Sequence, residues 1–193
     1  MKRSSHRMSN LTNQLLAYAQ GGKHQPKNRK LDDFMMVTLP ILQHDLNPAI
    51  RVETVFPIDL SYVEIDQTQM QMVLFAVLVN SNEAIEDEGL IRITARNKDI
   101  DEDFTKRHPG FKLGLYACIT IEDDGKGMDE KTRSRIFEPF FTTKFQGCGM
   151  GMAVAYGIVK NHDGWIDVDS ELGKGATVRI YLPAIEMTKK ISG

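Results

Sequence analysis

Apolar residues recur along the chain with two periods, and the switches between them outline a mixed fold. Met8, Leu11, Leu15 and Tyr18 form a narrow apolar seam that predicts a helix over the first 20 residues. Gly21-Gly22 ends it, and Pro26 follows in a polar stretch. So short a helix is marginal unless it packs on something. It is either a terminal helix docked on its own domain or the end of a longer helical element. Residues 31–46 predict a second helix, in which Pro40 should cause a kink or break. Residues 50–56 alternate like a half-buried strand, and residues 62–65 form another. Asp66 then offers an N-cap, with Gln69 three residues on as a capping box. The long helix that follows carries the stripe Met70, Val73, Leu74, Val77, Leu78, Ser81, Ala84 and Ile85, runs to about Glu88, and is ended by Gly89.

Strands are predicted at 90–95 and 113–122, joined by a polar hairpin loop with a Pro-Gly turn. A glycine-rich region, 125–151, holds a short helix near 129–135 and opens into a helix at about 150–162. Two closing strands, near 164–170 and 175–182, meet at the turn 171–175, and Pro183 ends the sheet. Helices and strands in this mixed order fit a two-layer α+β sandwich: a mixed sheet of about five strands, three main helices on one face, and a short helix in front. A doubly wound parallel sheet fits poorly, because 90–95 and 113–122 connect without a crossover helix.

Composition narrows the function classes. The chain has 193 residues, 41% hydrophobic and 26% charged, enough for one well-buried core. A net charge of −2 advertises no nucleic-acid partner. No apolar run approaches the roughly 20 residues that span a bilayer, so no membrane contact is expected from this chain. The first ten residues lack the apolar region of a secretory signal. Cys118 and Cys148 alone make neither a disulfide framework nor a zinc site, and the expected compartment is the reducing cytoplasm.

Four segments carry the chemistry. On the long helix, Ala76, Asn80, Glu83 and Asp87 form a second stripe. Asn80 there is either a buried amide satisfied by backbone groups or a carbonyl ligand for a hard cation such as Mg²⁺. In residues 121–128, Ile-Glu-Asp-Asp-Gly-Lys-Gly-Met, a strand runs into a tight turn with acids at its exit. Asp123 would point into a crevice, where a carboxylate accepts a hydrogen bond from an exocyclic amine. The chain lacks the later acidic ligands of a calcium loop. Residues 136–144, Ile-Phe-Glu-Pro-Phe-Phe-Thr-Thr-Lys, read as a compact aromatic plug ending in hydroxyls and a cation, or as a plain surface loop. Residues 147–152, Gly-Cys-Gly-Met-Gly-Met, lead into a helix, so that backbone N–H groups can face a phosphate. This segment is neither the dinucleotide fingerprint nor a Walker A loop.

In this order the four segments resemble the N, G1, F and G2 boxes of the GHKL (Bergerat) ATP-binding fold, and specifically the catalytic domain of sensor histidine kinases. The resemblance covers residues 31–183, including the closing Gly173-Lys-Gly-Ala-Thr-Val-Arg. It implies a domain at 31–183, a linker at 23–30, a tail at 184–193, and at 1–22 a remnant of the dimerisation and phosphoacceptor hairpin. It implies that Asn80 coordinates Mg²⁺ and that Asp123 accepts the adenine amino group. Gly125 and Gly127, with Met128, close over the base. Gly147, Gly149 and Gly151, with Met152, form the hinge of an ATP lid; Lys144 reaches the phosphates, and Thr177 supports Asp123 or a water beside the base. The implied reaction is phosphoryl transfer from ATP to a histidine, with a response-regulator receiver domain downstream.

Two positions and the length of one loop depart from the family pattern. Ala76 stands where a second polar residue is usual, which disfavours a gyrase-like or chaperone-like ATPase. Glu83 stands where a basic residue is sometimes found, and the lid, 142–148, is short. No histidine has the phosphoacceptor pattern: His6 is followed by Arg, and His44-Asp-Leu-Asn-Pro48 has its proline one residue early. His24, His108 and His162 lie in loops or at helix ends. The expectation is a kinase domain whose acceptor lies outside this chain. The alternative is a catalytically impaired nucleotide-binding or scaffold module on the same fold.

Overall fold

The computed structural model describes residues 25–57, 59–144 and 148–185. The helix expected over the first 20 residues and the tail beyond Ile185 lie outside them. In chain order the elements are β1 (Lys27–Lys30), α1 (Leu31–Gln43), β2 (Ile50–Val55), β3 (Tyr62–Ile65), α2 (Gln67–Ala84), β4 (Gly89–Ile100), α3 (Glu102–Arg107), β5 (Gly114–Asp123), α4 (Glu130–Arg133), α5 (Gly151–Asn161), β6 (Trp165–Ser170) and β7 (Ala176–Ile185).

The sheet runs β1-β3-β7-β5-β4-β2, with β6 also paired to β7. β2 is parallel to β4 across the α2 crossover, and the other pairs are antiparallel. Side-chain alternation divides the sheet into two faces. Ile91, Ile93, Ile119, Ile121, Val178, Ile180 and Leu182 point to one face and form the main core with Leu31 and Met35 of α1, Met70 to Leu78 of α2, and Ala155 to Val159 of α5. The three main helices therefore lie together on that face. The opposite face carries a second, smaller cluster of Ile100, Phe111, Tyr116, Cys118 and Tyr181 under Phe104 of α3 and Trp165.

Several boundaries differ from the expectation, each for a local reason. The sheet has seven strands rather than about five. One of the extra strands, β1, lies in the stretch read as linker and pairs with β3 from Lys27↔Ile65 to Lys30↔Tyr62. α1 passes through Pro40 unbroken because that residue is on the exposed side, where the orphaned carbonyl one turn back meets water. α2 stops at Ala84, not Glu88, because the Lys126 N–H caps the Ala84 carbonyl at 3.0 Å and Ile85 turns extended. Gly89 is thus the first residue of β4 rather than a helix stop. The predicted hairpin loop holds α3, capped by Asp101 accepting from the Phe104 N–H at 2.7 Å. Pro183 lies inside β7, between the stretch paired with β6 and the stretch paired with β3. Asp66 caps α2 through the Gln69 N–H as expected, but its own N–H goes to His162 Nε2 at 2.9 Å rather than to Gln69.

Candidate functional site

α2, the turn after β5 and the start of α5 converge at one end of the inner face. β5 ends at Asp123, on the same face as Ile119 and Ile121. Its carboxylate is held from three sides. Oδ1 accepts from the Gly125 N–H at 3.1 Å and the Ala176 N–H at 3.3 Å. Oδ2 accepts from the Ser81 hydroxyl at 2.8 Å. Burial pushes the Asp123 carboxyl above the usual carboxylate range, and the Ser81 hydroxyl and the two N–H groups oppose that shift.

The glycines that shape this turn have no room for a side chain. A Cβ on Gly125 would stand 2.8 Å from the Ala84 backbone. Gly127 has φ +65°, and its Cβ would meet the Glu171 carbonyl at 2.0 Å. Met128 follows, its N–H donating to Ser170 Oγ at 2.9 Å, and Ser170 in turn donates to the Gly175 carbonyl at 2.7 Å. The G1 turn is therefore stitched to the β6–β7 turn at its back.

One residue before Ser81 on α2 the contacts are made by long side chains. Lys144, arriving from the segment after α4, places Nζ 3.0 Å from Asn80 Oδ1 and pairs with Glu83 Oε2. Asn80 and Glu83 thus present an amide oxygen and a carboxylate oxygen to one ammonium. The base of the loop is closed by the Phe140 N–H donating to the Gly149 carbonyl at 2.9 Å. α5 begins at Gly151 with no side-chain cap on its first turn.

These contacts set Asp123 and Gly125 against α2 through Ser81 and Ala84, Lys144 on Asn80, and Gly151 beside Ala76, whereas Gly127 and Met128 lie against the β6–β7 turn and Gly149 against Phe140. Gly147 lies outside the described residues. Two expected site residues point elsewhere. Met152 is 5% exposed and packs in the main core, because the first turn of α5 directs it inward. Thr177 pairs with Glu122 and Asp169, so it occupies the face of the sheet opposite Asp123, and Ala176 stands beside the carboxylate instead. The aromatic segment is not one plug: Phe137 packs on Tyr156 with ring centroids 5.4 Å apart, whereas Phe140 is 76% exposed at φ +66°. Ser81 and Glu83 were not foreseen in their present roles. The signal for Ser81 was a hydroxyl on the buried stripe of α2, next to Asn80, which needs a polar partner.

Residues 65–186 match the family of histidine kinase-, DNA gyrase B- and HSP90-like ATPases. The chain belongs to this GHKL family. It is 31% identical over 192 residues to the sensor kinase CckA of Brucella abortus, an alignment covering 98% of this chain and 20% of that protein. It is 36% identical over 141 residues to sporulation kinase A of Bacillus subtilis, covering 73% of this chain and 21% of that one. The GHKL chain thus spans about a fifth of the length of these relatives. The fold is that of the mycobacterial sensor histidine kinase MprB, with TM-score 0.65 and 21% identity over 83% of this chain and 97% of that one. It also matches about a third of full-length ShkA, solved in complex with AMPPNP, with TM-score 0.71 and 20% identity over 92% of this chain and 36% of that one. Among the described residues, no helix of this GHKL domain is long and apolar enough to cross a membrane.

Proposed function

We propose that this GHKL domain binds Mg-ATP between α2, the G1 turn and the start of α5, and donates the γ-phosphoryl group to a histidine on a helical hairpin. One observation carries this: Asp123 is a half-buried carboxylate pinned by three donors at the end of β5. Such a group is an acceptor fixed in place, suited to an exocyclic amine such as that of adenine.

Asn80 and Glu83 would hold magnesium, which, when bound, supplies charge neutralisation to the phosphates. Released from Asn80 and Glu83, the Lys144 ammonium would reach the phosphates as a point charge. Gly149, at φ +64°, sets the loop base from which α5 presents its N-terminal N–H groups. Catalysis on such a site is mostly positioning and charge neutralisation. The AMPPNP complex of ShkA and the complex of ThkA with its response regulator TrrA support the nucleotide and receiver-domain partners by analogy.

The test is ATP binding followed by transfer. Mg-ATP should raise the melting temperature of the chain in a concentration-dependent way. Asp123→Asn should weaken ATP binding by roughly 10- to 100-fold, the value of a charge-assisted hydrogen bond. Labelled phosphate should pass to a phosphoacceptor hairpin supplied in trans, while the chain alone stays unlabelled. Ala76, which stands where a second polar residue is usual in the family, favours a second reading: a nucleotide-binding scaffold. Binding with no transfer in trans would select it.

A further inference from the structure

Ser81 is the residue of α2 that touches Asp123, and it does so from the buried side. It is 3% exposed, and its hydroxyl donates to Asp123 Oδ2 at 2.8 Å. A serine hydroxyl has a single hydrogen. Here that hydrogen is spent on the carboxylate. The other oxygen, Oδ1, is already occupied by the Gly125 and Ala176 N–H groups. Those two donors are backbone N–H groups, of the turn after β5 and of the first residue of β7, and both are kept in any Ser81 variant. Ser81 is the side chain that orients the remaining oxygen.

We propose that Ser81 is a positioning residue for purine selection: by donating to Asp123 Oδ2 it holds that oxygen as a fixed acceptor, so that the cleft takes 6-amino purines and rejects 6-oxo purines. The proposal rests on the assignment of Asp123 to the purine edge. A 6-oxo group would place a carbonyl oxygen against a carboxylate oxygen. Ser81 offers no relief, because donating to the ligand would mean releasing Asp123. Without the hydroxyl, Oδ2 loses its protein donor, and the carboxyl group is free to turn or to carry a hydrogen of its own. It can then donate to a 6-oxo group, and discrimination relaxes.

Ser81→Ala suits a helix interior, and Ser81→Thr keeps a hydroxyl. The affinities of ATP and inosine triphosphate, which differ at the 6-position of the base, are measured on the full chain and both variants, with Asp123→Asn alongside. The expected result is a fall of about tenfold in the ATP-to-inosine-triphosphate ratio for Ser81→Ala, with the parent ratio retained in Ser81→Thr. Equal weakening of both nucleotides by Ser81→Ala would mean a structural role only and would overturn the proposal. If Asp123→Asn weakens ATP while Ser81→Ala leaves the ratio unchanged, the purine assignment stands and the role of Ser81 falls. If the parent chain binds neither nucleotide, both fall.

Discussion

The two ends of the site along α2 are built from different materials. At the Asp123 end, short side chains and backbone groups interlock: a strand terminus, two tight turns and the end of a helix meet with no room for an added carbon. At the Asn80 end, a lysine about one-third exposed crosses from a loop to pair with two residues of α2. The first arrangement is pre-formed and resists change. The second is held by side chains alone, an ammonium on two oxygens of α2. A site that must recognise one base and yet admit and release a charged phosphate chain benefits from that division.

The sharpest way to break the rigid end is at Gly175. Its φ is +80°, and a Cβ there would stand 1.8 Å from the Asp123 carbonyl oxygen. Gly175→Ala combines left-handed backbone strain with a hard overlap. It should cost about 2–5 kcal/mol of folding stability, read as a lowered melting midpoint and lost ATP binding. A melting midpoint close to the parent's would show that the turn is softer than its geometry implies.

Acidity tests the same end without a mutation. Burial raises the Asp123 carboxyl, so the folded chain takes up that proton at a higher pH than the unfolded chain does. Two consequences have opposite signs. The ionised carboxylate costs folding stability at neutral pH, and that cost is relieved as pH falls through the raised value. Adenine recognition, which needs the acceptor form, fades over the same window. ATP affinity should therefore start to fall at a pH above the ordinary carboxylate range, and Asp123→Asn should flatten that profile.

Much of the rigid end was legible in the chain, because its determinants are local. Asp123 follows an alternating strand, and Gly125 and Gly127 sit where close approach is needed, so spacing alone locates them. Thr177 was misplaced because β-strand facing depends on register, and a one-residue difference puts a side chain on the other side of the sheet. Met152 was misplaced for a similar reason: a helix's first turn was read for its backbone, while its side chain belonged to the core. Ser81 reads as part of an apolar stripe until its partner 42 residues away is in view. Glu83 depends on a still longer contact, since Lys144 lies 61 residues on. Strand and helix periods carry no record of such pairings.

At the softer end, Lys144→Ala removes a charge and frees Asn80 and Glu83. ATP affinity should weaken by about three- to tenfold, and the deficit should shrink as salt rises, as expected of a partly exposed ionic contact. The melting midpoint without nucleotide should hardly change. A deficit that persists undiminished at high salt would mean that Lys144 shapes the loop rather than supplying charge.

The smallest effect separates two glycines that share one motif. Gly149 has φ +64°, and its Cβ would meet the Phe140 carbonyl carbon at 2.5 Å, so the loop base requires glycine there. Gly151 has neither constraint: a Cβ would lie 3.7 Å from the Ala76 Cβ, an ordinary van der Waals contact. That space exists because position 76 is alanine. Gly151→Ala should therefore leave folding stability within about 0.5 kcal/mol of the parent and ATP affinity within about twofold, since alanine suits a helix and keeps the backbone N–H groups of the first turn. A large loss of ATP affinity with an unchanged melting midpoint would place a phosphate against Gly151 itself. The division between a fixed base end and an adaptable phosphate end would then have to be redrawn at the start of α5.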